Sequence, residues 1–214
     1  MSIEKIKIML VDDHAVVRAG LKRLMENQTD LEVGLEAENG EAAYQLLSSH
    51  QVDVIVMDLS MPGMGGLESA RRILGRYPAV KIIIFSMHDN ATFAAQVLKA
   101  GVKGYVTKTG ADSDLLKAIH EVAKGKSYLS PEVAQKIALE SMVGEDNPLK
   151  MLSAREFEVF RLLTEGVSVE AVGERLKISQ KTVSNYYTMI KQKLGANSPI
   201  EMVRIAIRHG IIDG

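Results

Sequence analysis

The sequence predicts an α/β domain with a doubly wound, five-stranded parallel sheet, followed by an all-α domain of four helices. Three observations support this prediction. Up to residue 125, short apolar runs alternate with segments whose apolar residues recur at helical spacing. After residue 150, apolar residues recur at helical spacing only. Between the two parts, residues 144–148 are polar and rich in turn-forming residues, as in a linker.

The composition excludes several classes of protein. A chain of 214 residues is long enough for one large or two small domains with ordinary cores. It contains no cysteine, which excludes a disulfide scaffold and thiol catalysis. The N-terminus lacks the apolar core of a signal peptide, and no apolar run approaches the roughly 18 residues that a membrane span needs. We therefore expect a cytoplasmic protein with no membrane partner.

Five short apolar runs predict the strands, and a helical segment follows each of them. Asn39 is a candidate N-cap of the second helix, and Gly101 and Gly125 close the fourth and fifth. Strands that alternate with helices in this way form a parallel sheet with helices on both faces. The predicted strands are residues 7–11, 32–37, 52–57, 81–86 and 104–107, and the predicted helices are 15–25, 39–47, 67–77, 92–100 and 113–124.

The third predicted strand ends at an acid, Asp58, and the chain then breaks on Pro62 and three glycines. The strand is uniformly apolar, which is typical of a strand buried on both faces of a parallel sheet. In open α/β sheets, ligands bind outside the carboxyl ends of the strands, so Asp58 is a candidate for chemistry. Taken alone, Asp58 could equally be a turn residue that hydrogen-bonds its own backbone.

Other strand ends decide between these two interpretations. In the flavodoxin-like strand order 2-1-3-4-5, the first and third strands flank the point where the order reverses, so Asp12, Asp13 and Asp58 should converge. Three carboxylates in one pocket repel each other unless a cation is bound, and hard oxygen ligands favour Mg²⁺. Ser86 and Lys108 end the fourth and fifth strands and would face the same pocket from the other side.

These residues resemble the receiver domain of bacterial two-component response regulators, over roughly residues 5–125. The resemblance is carried by Asp12-Asp13, Asp58 with Met61-Pro62-Gly63 after it, Ser86, Tyr105 and Lys108, in this order and spacing. It implies that Asp58 accepts a phosphoryl group from the histidine of a sensor kinase. It also implies that Mg²⁺ is held by Asp12, Asp13, Asp58 and the carbonyl of Ser60, and that Ser86, Tyr105 and Lys108 contact or respond to the phosphoryl group.

The C-terminal part predicts four helices. A capping box, Ser153-Ala-Arg-Glu156, opens the first, and Ser168, Ser179 and Ser198 precede the others. In the third helix one face is apolar and the opposite face is polar with small side chains. A solvated face explains such a pattern about as often as a DNA-reading face does. The short helix before it, the tight turn at Lys177 and the flanking lysines favour a recognition helix in the major groove.

Residues 148–212 also resemble the LuxR-type helix-turn-helix, so the whole chain resembles a NarL/FixJ-type response regulator. The resemblance rests on Leu152-Ser-Ala-Arg-Glu-Phe-Glu-Val, Gly166, Ala171-Val-Gly-Glu-Arg-Leu, Ile178-Ser, Thr182-Val183 and Lys193-Leu194-Gly195. It implies that the side chains facing base edges are those of Ser184, Asn185 and Thr188. It also implies that the residues contacting phosphates are Lys177, Lys181, Thr182, Lys191 and Lys193. The family commonly has Lys and His at Ser184 and Tyr186, and Asn-Lys-Glu-Ile at Val169-Glu-Ala-Val. The loss of the lysine removes one basic reader, so we expect the affinity or the sequence preference to differ from that of typical members.

We therefore expect a transcription regulator that phosphorylation activates, and not an enzyme. Residues 1–146 carry a formal charge of −4 and residues 147–214 carry +3, which suits a nucleic-acid module at the C-terminus. The expected domains are a receiver at 1–126, a connecting helix and linker at 127–147, and a DNA-binding domain at 148–214. Expected partners are a sensor histidine kinase, double-stranded promoter DNA, a second copy of the chain after phosphorylation and RNA polymerase. A phosphoaspartate hydrolase and a protein-binding adaptor are the alternative functions.

Overall fold

The computed structural model describes residues 5–87, 91–110, 112–143 and 147–212. The strands pair in parallel throughout, in the order β2-β1-β3-β4-β5-β6. This order confirms the doubly wound sheet and its reversal between the first and third strands. In the described residues the strands are β1 Ile6–Val11, β2 Leu31–Ala37, β3 Val54–Met57, β4 Lys81–Ser86, β5 Gly104–Thr107 and β6 Tyr128–Leu129.

The prediction of five strands was wrong, because the described part of the sheet has a sixth. β6 pairs with β5 through Gly104 and Tyr128, and the Ser130 amide donates to the Tyr105 carbonyl at 2.9 Å. The strand has two residues, which is too short for an alternating pattern to be recognisable in the sequence. It therefore lies inside the segment that the sequence had suggested to be only a helix and a linker.

Helices cover the sheet, and a helical domain follows. The first group is α1 Ala15–Glu26, α2 Gly40–Leu46, α3 Gly66–Arg76, α4 Ala91–Lys99, α5 Asp112–Ala123 and α6 Pro131–Val143. After a 3₁₀ turn at Pro148–Met151 come α7 Ala154–Thr164, α8 Val169–Leu176, α9 Gln180–Leu194 and α10 Pro199–Arg208. These last four confirm the predicted C-terminal helices. Within the predicted linker, residues 144–146 lie outside the described residues. None of the described helices has the length and apolar character needed to cross a membrane.

Capping side chains place the helix starts where the sequence indicated. Asn39 accepts from the Ala42 amide at 2.8 Å, and Ser153 and Glu156 form both hydrogen bonds of a capping box. Ser179 accepts from the Thr182 amide at the start of α9, the predicted recognition helix. These bonds satisfy amides that a helix leaves without partners at its N-terminus.

Both faces of the sheet are buried, which explains the uniformly apolar strands. On one face, Ile8 and Val56 pack in a core that includes residues of α1 and α5, such as Met25 and Ile119. On the other, Met9 and Met57 belong to a core that includes residues of α2, α3 and α4. The side chains of a strand alternate between its two faces, so each core draws on every second residue.

The second core continues into the helical domain. Met61 and Leu67 of the receiver belong to the same buried cluster as Phe157 of α7 and Leu176 of α8. On α4, the buried Gln96 amide nitrogen donates to the carbonyls of Leu149 and Leu152, at 3.0 and 3.1 Å. The two domains are therefore closed on each other, and the loop after β3 lies at their junction.

We predict that Gly66→Ala destabilises the fold, because a Cβ there would lie 2.1 Å from the Asp58 carbonyl oxygen. The free energy of unfolding should fall by about 1–3 kcal/mol, the range for overpacking. Gly75→Ala is the matched control in the same helix, since a Cβ there meets nothing within 4 Å. It should leave stability unchanged or raise it by about 0.5 kcal/mol. Urea denaturation measures both, and equal effects would contradict the steric explanation.

Candidate functional sites

Asp58 lies directly after β3 at the carboxyl end of the sheet, where it is 5% exposed. Its amide donates to the Val11 carbonyl at 2.8 Å, which fixes the start of the loop against β1. One carboxylate oxygen, Oδ2, accepts from the Ser60 amide at 3.2 Å. The turn interpretation of Asp58 is thus correct for Oδ2, and the other oxygen, Oδ1, has a different partner.

Lys108 connects the predicted acids. Its Nζ lies 2.7 Å from Oδ2 of Asp12 and 3.0 Å from Oδ1 of Asp58, and its own amide donates to the Ser86 carbonyl at 2.7 Å. Its side chain also lies over the ring of Phe85, with Nζ 5.8 Å from the centroid. The ammonium thus joins the ends of β1 and β3 from a position just after β5, as the strand order requires.

Burial and ion pairing perturb both partners of this contact. Burial raises the pKa of Asp58, and the nearby Lys108 ammonium only partly opposes that rise. Burial by itself would lower the pKa of Lys108, but the hydrogen bond to Asp12 and the charge of Asp58 outweigh it and raise that pKa. The lysine therefore remains charged, and it is the main group that favours the ionised form of the Asp58 carboxyl.

The acids after β1 offer a set of ligands that fits a hard cation. Asp12 is 3% exposed, Asp13 is exposed, and one ligand atom from each of Asp12, Asp13 and His14 lies within 4.8 Å of the others. Carboxylate oxygens near a carbonyl such as that of Ser60 are the donors that Mg²⁺ prefers. The Nδ1 atom of His14 lies 3.2 Å from Oδ1 of Asp12 and 3.0 Å from Oδ1 of Asp13, so one imidazole contacts both acids.

The two predicted switch residues lie on neighbouring strands, and both are fully buried. Ser86 is the last residue of β4 and pairs with Thr107, while Tyr105 of β5 pairs with Ile84. The Ser86 carbonyl accepts from the Lys108 amide, so the ends of β4 and β5 are held together here. The structure thus brings Asp12, Asp13, Asp58, Ser60, Ser86 and Lys108 to one end of the sheet, with Tyr105 on β5 beside them.

The predicted recognition helix, α9, presents most of its proposed base-reading face to solvent. Ser184, Asn185 and Thr188 are exposed, as is Lys181, and Val183 and Ile190 are buried on the opposite side. The hydroxyls of Ser184 and Thr188 donate to backbone carbonyls one turn earlier, at 3.0 Å each. This pattern is the one that the helical periodicity predicted.

The other residues predicted to contact phosphates differ in the intramolecular hydrogen bonds that their side chains make. Lys177 adopts a left-handed conformation, with φ of 51°, in the turn between α8 and α9. Lys191 donates to the Asn197 carbonyl at 3.1 Å, and Lys193 donates to the buried Glu156 carboxylate at 2.6 Å. Lys193 therefore has a structural role in joining α9 to the capping box of α7. Thr182 is partly buried near the start of α9.

Sequence reasoning missed the contacts between the loop after β3 and the helical domain. The Gly63 amide donates to the Arg175 carbonyl at 2.5 Å, and Arg155 donates to the Met64 carbonyl at 3.1 Å. A cavity of about 320 Å³ separates Ser60 and Pro62 from Arg161 and other residues of α7 and α8. The glycines after Asp58 were the available signal, but they indicated a turn and not what packs on it.

A doubly wound sheet with this acid–lysine pocket, followed by a helix-turn-helix, defines the class of response regulators, and comparisons with known proteins agree. Residues 8–120 match the response regulator receiver domain family, and residues 150–206 match the luxR family of bacterial regulatory proteins. The chain therefore belongs to the NarL/FixJ-type response regulators, which join a receiver to a LuxR-type DNA-binding domain.

Individual relatives match nearly the whole chain. The response regulator UvrY of Escherichia coli K12 is 38% identical over 208 residues, covering 96% of this chain and 95% of UvrY. The response regulator GacA of Pseudomonas aeruginosa is 35% identical over 210 residues, covering 97% and 98%. Among solved structures, RcsB of Salmonella enterica serovar Typhimurium, bound to promoter DNA with a phosphomimetic, is 30% identical with a TM-score of 0.72 and covers 94% and 98%. Another structure shows two RcsB dimers bound to two parallel DNAs.

We predict that Lys108→Ala raises the pKa of Asp58 further, because the ammonium that opposes the effect of burial is lost. A folded-state pKa above the unfolded value favours folding at low pH. The free energy of unfolding of the variant should therefore fall more steeply than that of the wild type as pH rises. Carboxyl-carbon NMR titration measures the pKa. Lys103→Ala, at an exposed lysine just before β5, is the control. An unchanged Asp58 pKa in Lys108→Ala would contradict the prediction.

Proposed function

We propose that Asp58 accepts a phosphoryl group from the phosphohistidine of a sensor kinase, and that the modified protein binds promoter DNA as a homodimer. The observation that carries the proposal is the buried contact of Lys108 with Asp12 and Asp58 at the point where the strand order reverses. In this arrangement one acid can act as nucleophile while a cation next to it holds the product.

The proposed transfer forms an acyl phosphate. An Asp58 carboxylate oxygen attacks phosphorus, a new O–P bond forms, and the P–N bond of the phosphohistidine breaks, so that its electron pair returns to the imidazole of the kinase. Asp12, Asp13, Asp58 and the Ser60 carbonyl would hold Mg²⁺, which neutralises charge on the phosphoryl oxygens when bound. Lys108 is placed to pair with a phosphoryl oxygen after the transfer, and the buried Ser86 hydroxyl lies at the end of the neighbouring strand.

The chain's own chemistry ends at this modification, so we propose that it is a regulator and not an enzyme with an external substrate. Phosphorylation adds charge and strong acceptor oxygens beside the loop that contacts α7 and α8. We propose that this change opens the domain junction and frees the DNA-binding domain for dimerisation. Dimers of the related RcsB on DNA support this proposal.

We propose that α9 enters the major groove with Ser184, Asn185 and Thr188 towards the bases. Lys177, Lys181, Thr182 and Lys191 would contact phosphates, and Lys193 would do so only by leaving Glu156. The proposed domains are 1–126, 127–147 and 148–214. Because β6 lies in the middle segment, that segment would also complete the receiver sheet. Because we propose that the protein binds promoter DNA, we also propose a cytoplasmic location and RNA polymerase as a further partner.

We expect Asp58→Asn to abolish labelling by acetyl phosphate in the presence of Mg²⁺, because the carboxamide cannot act as the nucleophile. Chelation of Mg²⁺ should have the same effect on the wild type. Asp53→Asn is the matched control, since Asp53 lies at the opposite end of the same strand and is exposed. Intact-mass measurement detects the added phosphoryl group. Wild-type labelling in Asp58→Asn would move the phosphoacceptor elsewhere.

We expect Lys181→Ala to weaken binding to all DNA sequences, because a phosphate contact carries no sequence information. The slope of log affinity against log salt should decrease by about 1. Fluorescence anisotropy with two unrelated duplexes measures both quantities. Lys124→Ala, at the end of the receiver, removes an exposed lysine of the same charge and should change neither. If Lys181→Ala binds like the wild type at every salt concentration, Lys181 makes no phosphate contact.

A further inference from the structure

Glu158 of α7 is buried where the DNA-binding domain meets the loop after the phosphoacceptor. Glu158 is 7% exposed, and its carboxyl lies against the backbone of Gly65. A Cβ at position 65 would lie 1.9 Å from Oε1 of Glu158, so only glycine allows this approach. Gly65 also has a φ of 72°, which disfavours other residues. The burial of Glu158 therefore depends on the receiver being in place.

Arg155, one turn earlier on α7, holds the same junction through backbone carbonyls. Its guanidinium donates to Met64 of the receiver at 3.1 Å and to Leu176 of α8 at 2.5 Å. It also pairs with Glu158 at 2.9 Å. The two bonds to carbonyls do not need a charged partner, so they can persist when Glu158 is neutral. The junction can thus stay closed when Glu158 is protonated.

The charges around Glu158 come from several elements. On α7, Arg155 and Arg161 favour its ionised form, while Glu68 of α3 disfavours it. Arg175 of α8 and Asp13 of the receiver line the same cavity as Glu158. Burial is the largest effect and outweighs the arginines, and it raises the pKa of Glu158 to about 7. In the closed arrangement, then, this carboxyl takes up a proton as pH falls through about 7.

We propose that closure of the DNA-binding domain onto the phosphoacceptor loop is proton-dependent, with Glu158 as the group that takes up the proton. When the domains open, Gly65 moves away from the Glu158 carboxyl. The carboxyl is then exposed to water and ionises. The closed form binds one more proton than the open form, so closure strengthens as pH falls and weakens as pH rises through about 7. The effect of this step on DNA binding rests on the proposed function, whereas the closure itself does not.

The test measures closure directly in the full-length protein, without DNA, Mg²⁺ or phosphodonor. Because the chain has no cysteine, Arg23→Cys on α1 and Arg204→Cys on α10 provide two labelling sites, both exposed. Energy transfer between two fluorophores then reports the closed-to-open ratio. For a pKa of about 7 in the closed form against 4.5 when exposed, that ratio should rise about tenfold from about pH 8 to about pH 6.

Glu158→Gln in the labelled protein should remain closed across the whole range, because the carboxamide has the same size and no proton to lose. Glu165→Gln is the matched control at the end of the same helix, and it should titrate like the wild type. Gly65→Ala should shift the ratio towards the open form at every pH, because its Cβ would displace the Glu158 carboxyl. Circular dichroism checks that each variant is folded.

The proposal is overturned by a pH-independent signal in the wild type, by an unchanged pH response in Glu158→Gln, or by a Glu158→Gln variant that is open throughout. A failure of Asp58 labelling or of DNA binding would instead contradict the proposed function and leave these outcomes unchanged.

Discussion

The contact of the Lys108 ammonium with Asp12 and Asp58 is the interaction on which the proposed phosphoacceptor site depends. Two buried carboxylates at the ends of β1 and β3 would repel each other, and burial already raises the pKa of Asp58. From a position just after β5, the lysine attracts both carboxylates and partly opposes the rise in the Asp58 pKa. Because these strands are neighbours only in a sheet that reverses its order, the site exists only when the whole doubly wound sheet has formed.

The same constraint extends to the second domain. Asp58 is followed within a few residues by a glycine-containing loop whose backbone both packs on α3 and contacts α7 and α8. A change at the carboxyl end of β3 therefore acts on a segment that the DNA-binding domain also holds. Gln96 adds a second attachment, from α4 to the 3₁₀ turn before α7. In this closed state the proposed base-reading face of α9 remains exposed. Phosphorylation would therefore relieve restraint of the domain and not burial of that face.

Much of this could be predicted from the sequence because the relevant signals are local. The sequence alone shows the periodicity of strands and helices and the acids at strand ends. It also shows capping residues such as Ser153 and Asn39. β6 could not be predicted, since two residues carry no period and its pairing partner is distant in sequence. The ion pair of Lys193 with Glu156 could not be predicted either. In the sequence, a lysine of the recognition helix that binds phosphate cannot be distinguished from one that pairs with Glu156.

The sequence by itself determined the class of fold, the order of the elements and the identity of the residues that converge at the sheet end. It could do so because parallel strands bring their carboxyl ends to one edge regardless of side-chain detail. Only the tertiary structure decided that the helical domain closes on the loop after Asp58, and that Glu158 is buried there. The reason is physical: burial and its effect on the pKa of a carboxyl depend on what is packed against it, and Gly65 and Glu158 are separated by more than ninety residues of chain.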